Sequence, residues 1–456
     1  MNEPLNKSID LAKPMISFLI PVIFASAFQS LGQVFGMMFI GQILGVNSLA
    51  AFSAFFPLFF FLMSFAIGIG SGSSILIGQT YGGGNILKMK EVVGVTLAFT
   101  MIISFAVAVI GGLFTEEILK WMGTPANILI ASAEYARILF VTLPITFLYM
   151  CYTTFMRGVG DSKTPFYFLL ISIFLNMALI PTLVLGWLSL PEFGLNGAAY
   201  ASVLSNFITF VILLVYLHKK NHVLKLDSYT LKHLHLKGPI LKTLLKLAIP
   251  TSISMVTIAL SEIAVITFVN DYGSNATAAY GIVNQIASYV QIPAMSISIA
   301  ISVFVAQALG SGNISNIKHI TKISITLNYV LGSIPIIILY LLPIPILRIF
   351  VDNSYTINIA KGLIIISFWS YLILGHTQAI SATMRATGTV LWPTIFTITS
   401  ILLIGVPVAY SLSHFTGLGI AGIWLAYPVA FIFNFLAQSI YYKVYWKKKS
   451  LNVLIN

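Results

Sequence analysis

Glu262 is the side chain with the most chemical consequence, because it lies well inside the apolar run 244–270. A charge at that depth of a hydrocarbon layer costs about 2.5 kcal/mol or more. The carboxyl must therefore face a polar cavity, find a partner or carry a proton, and a group that takes and releases a proton or Na⁺ is what gradient-driven transport requires. His376, in the run 356–384, reads either as a packing histidine or as a second titratable member of a cation-coupling site with Glu262. Gln33, Asn176, Gln285, Gln378 and Tyr371 are the polar side chains expected to line a substrate cavity, although interhelical hydrogen bonds account for any of the amides equally well. Glu134 and Arg137, one turn apart, read as an ion pair within one helix.

Other chemistries are excluded on spacing. Gly158-Val-Gly-Asp-Ser-Lys163-Thr164 is no phosphate loop, since it lacks a glycine before the lysine and follows an apolar helix instead of a strand. His218, His222, His233 and His235 lie among lysines without tight ligand spacing, so no metal site is expected. An enzyme would need clustered His, Asp or Glu at one interface, and the apolar runs carry no such cluster. Neither a catalytic residue nor a cofactor is expected beyond a coupling ion, H⁺ or Na⁺.

The elements that hold these residues follow from composition. Of 456 residues, 58% are hydrophobic and only 8% charged, too few charges to cover a water-facing surface. Twelve segments of 20 or so apolar residues predict twelve membrane-spanning helices, with bounds near 15–44, 50–80, 91–113, 126–156, 164–188, 194–217, 244–270, 275–308, 321–343, 356–384, 391–413 and 418–442. The 24 basic residues outnumber 12 acidic ones, yet they lie between apolar runs and not on one face, which excludes nucleic acid as a partner. With a cytoplasmic N-terminus, 20 of the 24 fall on the cytoplasmic side, against Lys120, Arg348 and Lys361 opposite and Arg137 within a span. The chain is expected to be a multi-pass protein of an inner or plasma membrane with both termini cytoplasmic, and its lone cysteine, Cys151, sits in an apolar run.

The chain also repeats itself at an offset of half its length. Gln79-Thr-Tyr-Gly-Gly-Gly-Asn85 recurs as Gln307-Ala-Leu-Gly-Ser-Gly-Asn313, and Met156, Arg157, Gly160 and Pro165 recur as Met384, Arg385, Gly388 and Pro393. Six spans per half bring both halves in from the same side, giving a parallel repeat with the substrate expected between them. The predicted organisation is a six-helix bundle over 1–217, a cytoplasmic linker over 218–243 and a second bundle over 244–456: all-α and pseudo-symmetric.

Arg157-Gly-Val-Gly-Asp-Ser-Lys-Thr-Pro165, with Asn176 after it, resembles the signature of the multidrug and toxic compound extrusion family, and the likeness extends over essentially the whole chain. The resemblance implies a V-shaped pair of bundles acting as a monomeric secondary antiporter that exports amphipathic organic cations. Two first-half aspartates of the family align here with Gly36 and Ile180, so a first-half carboxylate site is absent. Glu262 matches the family's second-half carboxylate, whose usual aspartate partner aligns near Leu374, with His376 and Gln378 the polar residues nearby. His376 and Gln285 are therefore the expected neighbours of Glu262. The alternative function is a flippase or exporter of a lipid-linked or secondary-metabolite precursor, which favours a strongly cationic cavity; Arg137 is the sole cation within the spans.

Overall fold

The computed structural model describes residues 3–455, with side chains from Asp10 onward except that of Leu188; Lys7, counted above with the basic residues, lies outside the described side chains. In hydrocarbon a backbone N–H or C=O has no water to bond, and an α-helix satisfies its own. The apolar runs accordingly form α1 (Glu3–Ile43), α2 (Gly45–Gly82), α3 (Ile86–Leu113), α4 (Ala126–Gly158), α5 (Lys163–Val184) and α6 (Gly194–Lys219). The second half forms α7 (Gly238–Asn270), α8 (Ser274–Gly310), α9 (Ile314–Leu341), α10 (Ser354–Ser367 and Ser370–Ala386, bent by 47°), α11 (Leu391–His414) and α12 (Ile420–Val444). Among the described residues eleven helices are long and apolar enough to cross a membrane, twelve with the bent α10 as one span. The twelve expected spans are all present.

The connections repeat as the sequence does. Gly84 and Gly312 have φ of +73° and +74°, and Gly160 and Gly388 have +92° and +86°, a conformation that costs glycine least. Gly160 N–H donates to Arg157 O at 2.8 Å and Gly388 N–H to Arg385 O at 2.9 Å, closing the two helices in the same way. Asp161 then accepts from the N–H groups of Lys163 and Thr164, each at 3.0 Å, capping α5. The Arg157–Pro165 signature is thus a helix–turn–helix connection.

Proline and irregular turns shape the spans. Within α8 the helix breaks at Gln291, just before Pro293, and within α11 a wide π-type turn spans Thr399–Gly405 ahead of Pro407. Such widening accommodates the N–H that proline lacks.

By packing, the chain divides into two compact units, and the division falls inside helices instead of at the linker. One unit runs from Ile20 to Ile249; the other joins the segment ending at Leu19 to Pro250–Leu454. The expected linker, 218–243, belongs wholly to the first of these. In the Ile20–Ile249 unit α4 packs against α2, α3 and α6, around Phe55 and Phe140 with ring centroids 5.5 Å apart. The first turns of α7 lie on α2, where Leu244 and Leu247 close over Gly72. The other unit centres on the second part of α10, flanked by α8, α9 and α12, and Phe18 of α1 meets Phe304 of α8 edge-on at 5.6 Å.

The linker is fastened to α3. Asp227 caps a short helix, Ser228–Lys232, accepting from Thr230 N–H at 2.9 Å, and is ion-paired with Lys90. Glu91 accepts from Lys237 Nζ at 2.7 Å and Tyr229 OH at 3.2 Å. Gly94 leaves room for the carbonyl of His233, which lies 2.6 Å from where a Cβ would stand.

Candidate functional site

Four helices of the second unit bring the groups around Glu262 together. Glu262 on α7 is open on one side and walled by protein on the other; its carboxylate makes no hydrogen bond or ion pair with a described residue. Three phenols stand in the same region. Tyr280 of α8, Tyr371 of α10 and Tyr427 of α12 all lie within electrostatic reach of the carboxylate. The Tyr280 and Tyr427 hydroxyls bond to each other at 2.8 Å, and Asn284 hydrogen-bonds Tyr280. The rings are fixed by stacking: Tyr280 lies parallel to Trp424 at 6.0 Å, and Tyr371 touches Phe368 at 5.1 Å and Phe431 at 5.4 Å.

This arrangement offers oxygen only: one carboxylate, phenol hydroxyls and an amide. Such a donor set suits a proton or a hard cation and not a soft transition metal. Among the described residues no group of three or more His, Cys, Asp or Glu could hold a metal ion.

The expected site residues separate on inspection. Glu262 and Tyr371 belong to the same unit, Tyr371 within electrostatic reach of the carboxylate. His376 engages other partners: its Nδ1 is 2.9 Å from Tyr329 OH on α9, and Phe435 of α12 packs edge-on at 5.0 Å. Gln285 is exposed, and the hydrogen bond at its position is Ser288 Oγ to its backbone oxygen at 2.7 Å. Gln378 has its Oε1 buried without a partner. Gln33 and Asn176 belong to the other unit, where Gln33 is exposed and Asn176 donates to Ser202 Oγ at 3.1 Å, an interhelical bond from α5 to α6. A Cβ at Gly36 would meet no atom within 4 Å.

One expectation is overturned. Glu134 and Arg137 do not pair: Glu134 accepts from Asn196 Nδ2 at 3.0 Å, and Arg137 Nε donates to Gly112 O at 3.2 Å. Both side chains satisfy themselves across helices, Glu134 with a side-chain amide and Arg137 with a carbonyl at the end of α3 that also accepts from Thr115 Oγ1 at 3.2 Å.

Tyr280 and Tyr427 escaped the sequence reading. They are two among 20 tyrosines, and nothing in a single sequence says which face of an apolar helix they share with Glu262.

Comparison with known proteins agrees with this architecture. The MatE family model matches twice, over residues 21–182 and 250–411, and a model for the lipid II flippase MurJ matches residues 158–272. The chain is 52% identical over 443 residues to the probable multidrug resistance protein YoeA of Bacillus subtilis (strain 168), covering 97% of this chain and 96% of that one. It is 24% identical to an FAD transporter of Shewanella oneidensis, covering 86% and 85%. A solved outward-facing multidrug resistance MATE transporter of the MOP superfamily superposes with a TM-score of 0.87 at 21% identity, over 96% of this chain and 97% of that one. Two matches to one family model, one in each half, together with the full-length likeness to YoeA, place this twelve-span chain in the MatE family, the multidrug and toxic compound extrusion transporters whose signature it carries.

Proposed function

We propose that the protein is a multidrug efflux antiporter that exports amphipathic, cationic organic compounds in exchange for H⁺ or Na⁺, with Glu262 as the coupling group. The observation that carries this reading is a carboxylate inside a membrane span, without a basic partner among the described residues and within electrostatic reach of three phenols. Ionised, it attracts a cationic substrate or Na⁺; protonated or Na⁺-bound, it releases the substrate. Antiport requires that each ligand weaken the other, and a single shared charge achieves it. The relatives' names support drug export, and the basic bias of one side supports cytoplasmic termini in a cell membrane. The working unit in this reading is a monomer in the bilayer that needs neither cofactor, resident metal nor nucleic acid. The test is transport by inverted vesicles with pH and Na⁺ gradients imposed separately: export driven by neither gradient overturns the coupling.

A second reading, export of a lipid-linked or other anionic precursor, is favoured by the partial match to the lipid II flippase model and by the FAD transporter relative. An anionic cargo is a poor fit beside Glu262, with which no basic side chain among the described residues pairs. Competition for export between a cationic dye and an anionic one decides between the two readings.

A further inference from the structure

The end of the Ile20–Ile249 unit that carries the linker has surplus positive charge with nothing to neutralise it. Its carboxylates among the described residues are Glu91, Asp161 and Asp227, and all three are engaged. Glu91 holds Lys237 and Tyr229, Asp227 holds Lys90 and caps the Ser228–Lys232 helix, and Asp161 caps α5. Lys219 and Lys220, at the last turn of α6, are exposed and have no hydrogen bond or ion pair with a described residue.

Beside these lysines is a cavity of about 360 Å³, lined by Leu214, Val215, His218 and Lys219 of α6 and Leu226 of the linker. Its lining is mostly apolar, with one lysine and one histidine. The face of α6 leading away from it is apolar and outward-facing, with Val211, Ile212 and Val215 between 42% and 48% exposed. An apolar helix face that ends in a slot lined in part by basic side chains has the profile of a phospholipid in one leaflet: acyl chains along the helix, headgroup phosphate at the basic side chains.

We propose that this slot between α6 and the linker is a binding site for an anionic phospholipid, its phosphate held by Lys219 and His218 with Lys220 adjacent and its upper chain against Leu214, Val215 and Leu226. A zwitterionic lipid fills the apolar part but leaves the surplus charge uncompensated, so the site discriminates by headgroup charge. The clamp of Glu91 and Lys90 on the linker holds Leu226 in place as the slot's outer wall.

The test is native mass spectrometry of the full-length protein, released from micelles containing dioleoylphosphatidylglycerol or dioleoylphosphatidylcholine. The protein is expected to retain phosphatidylglycerol preferentially. The Lys219→Gln/Lys220→Gln variant should lose affinity for it by about fivefold for each lysine neutralised. A Lys318→Gln/Lys322→Gln variant removes the same charge from the second half and should bind as wild type does, and thermal unfolding of each variant verifies that it is folded. Equal retention of the two lipids overturns the proposal, as does equal loss in both variants, which would mean diffuse charge attraction. Displacement of the lipid by millimolar inorganic phosphate would also overturn it, since the apolar slot would then contribute nothing.

Discussion

Replacing Glu262 by Gln preserves the shape of the side chain and fixes it in the neutral state. The carboxylate has no basic partner among the described residues, so the change leaves no orphaned cation, and Tyr280, Tyr371 and Tyr427 remain held by their own ring contacts. Folding and membrane insertion should therefore survive. What disappears is the exchange between ionised and occupied states. If one proton moves per substrate, a gradient of one pH unit supplies about 1.4 kcal/mol and sustains about a tenfold substrate concentration ratio. Proteoliposomes loaded with a fluorescent organic cation and subjected to that gradient should reach this ratio with wild-type protein. The Glu262→Gln protein should stay near unity while still equilibrating the dye. A variant that sustained the tenfold ratio would refute the reasoning and return Glu262 to a structural role.

Three further outcomes follow from the linker and the signature turn. Burial raises the Asp227 carboxyl, and hydrogen bonds from Lys90 and Thr230 outweigh it, leaving a value of about 2 against 3.8 for the free group. Because the folded value is the lower, the stability that Asp227 contributes is complete above about pH 4 and is lost as pH falls through about 2. Asp227→Asn should cost about 1–2 kcal/mol at pH 7 after allowance for solvent screening, read by thermal unfolding in detergent, with the difference from wild type vanishing at low pH. Gly94→Ala would put a methyl group 2.6 Å from the His233 carbonyl and should cost about 1–3 kcal/mol, visible as faster proteolysis within 218–243; unchanged cleavage would mean that the linker is not seated there. Asp161→Ala should cost about 1 kcal/mol through loss of the α5 cap, and Asp161→Asn much less; equal loss in both would require a role for the charge itself.

The spans were legible because an apolar run of 20 residues has one outcome in a bilayer, and the alternation of basic connections registers each crossing. The repeat was legible as well: residues that recur in sequence recur as turns, Gly160 with Gly388 and Gly84 with Gly312. The facing of each helix was not. In water an amphipathic stripe says which side is buried, but these helices are apolar all round, and lipid-facing and core-facing positions use the same residues. Hence Glu262 could be singled out by its charge alone, while the phenols in its region could not. His376 is expected beside Glu262 because it stands near Leu374, where the family's aspartate partner aligns, yet its ring nitrogen bonds to Tyr329. The Glu134–Arg137 reading failed for a related reason, since sequence spacing records neighbours on one helix and is silent about Asn196 and Gly112 on others.

The division of the molecule at Leu19/Ile20 and at Ile249/Pro250 gives the repeat a mechanical meaning that its bundles alone do not have. In each half the first helix changes unit beside a proline, Pro21 in α1 and Pro250 in α7. Proline removes one helical hydrogen bond and thereby lowers the cost of bending at that point. At Pro250 the carbonyl accepts from the hydroxyls of Ser254 at 3.0 Å and Thr394 at 3.4 Å, the latter tying α7 to α11. Toward the linker, α7 is held by Leu244 and Leu247 over Gly72 and, through Lys237, by Glu91 on α3. Beyond Pro250 the same helix carries Glu262 about three turns further on. The seated root, the proline and Glu262 therefore occupy one continuous helix. In the proposed reading, Glu262 and Pro250 share α7, so the occupancy of the carboxylate and the curvature of that helix act on the same segment.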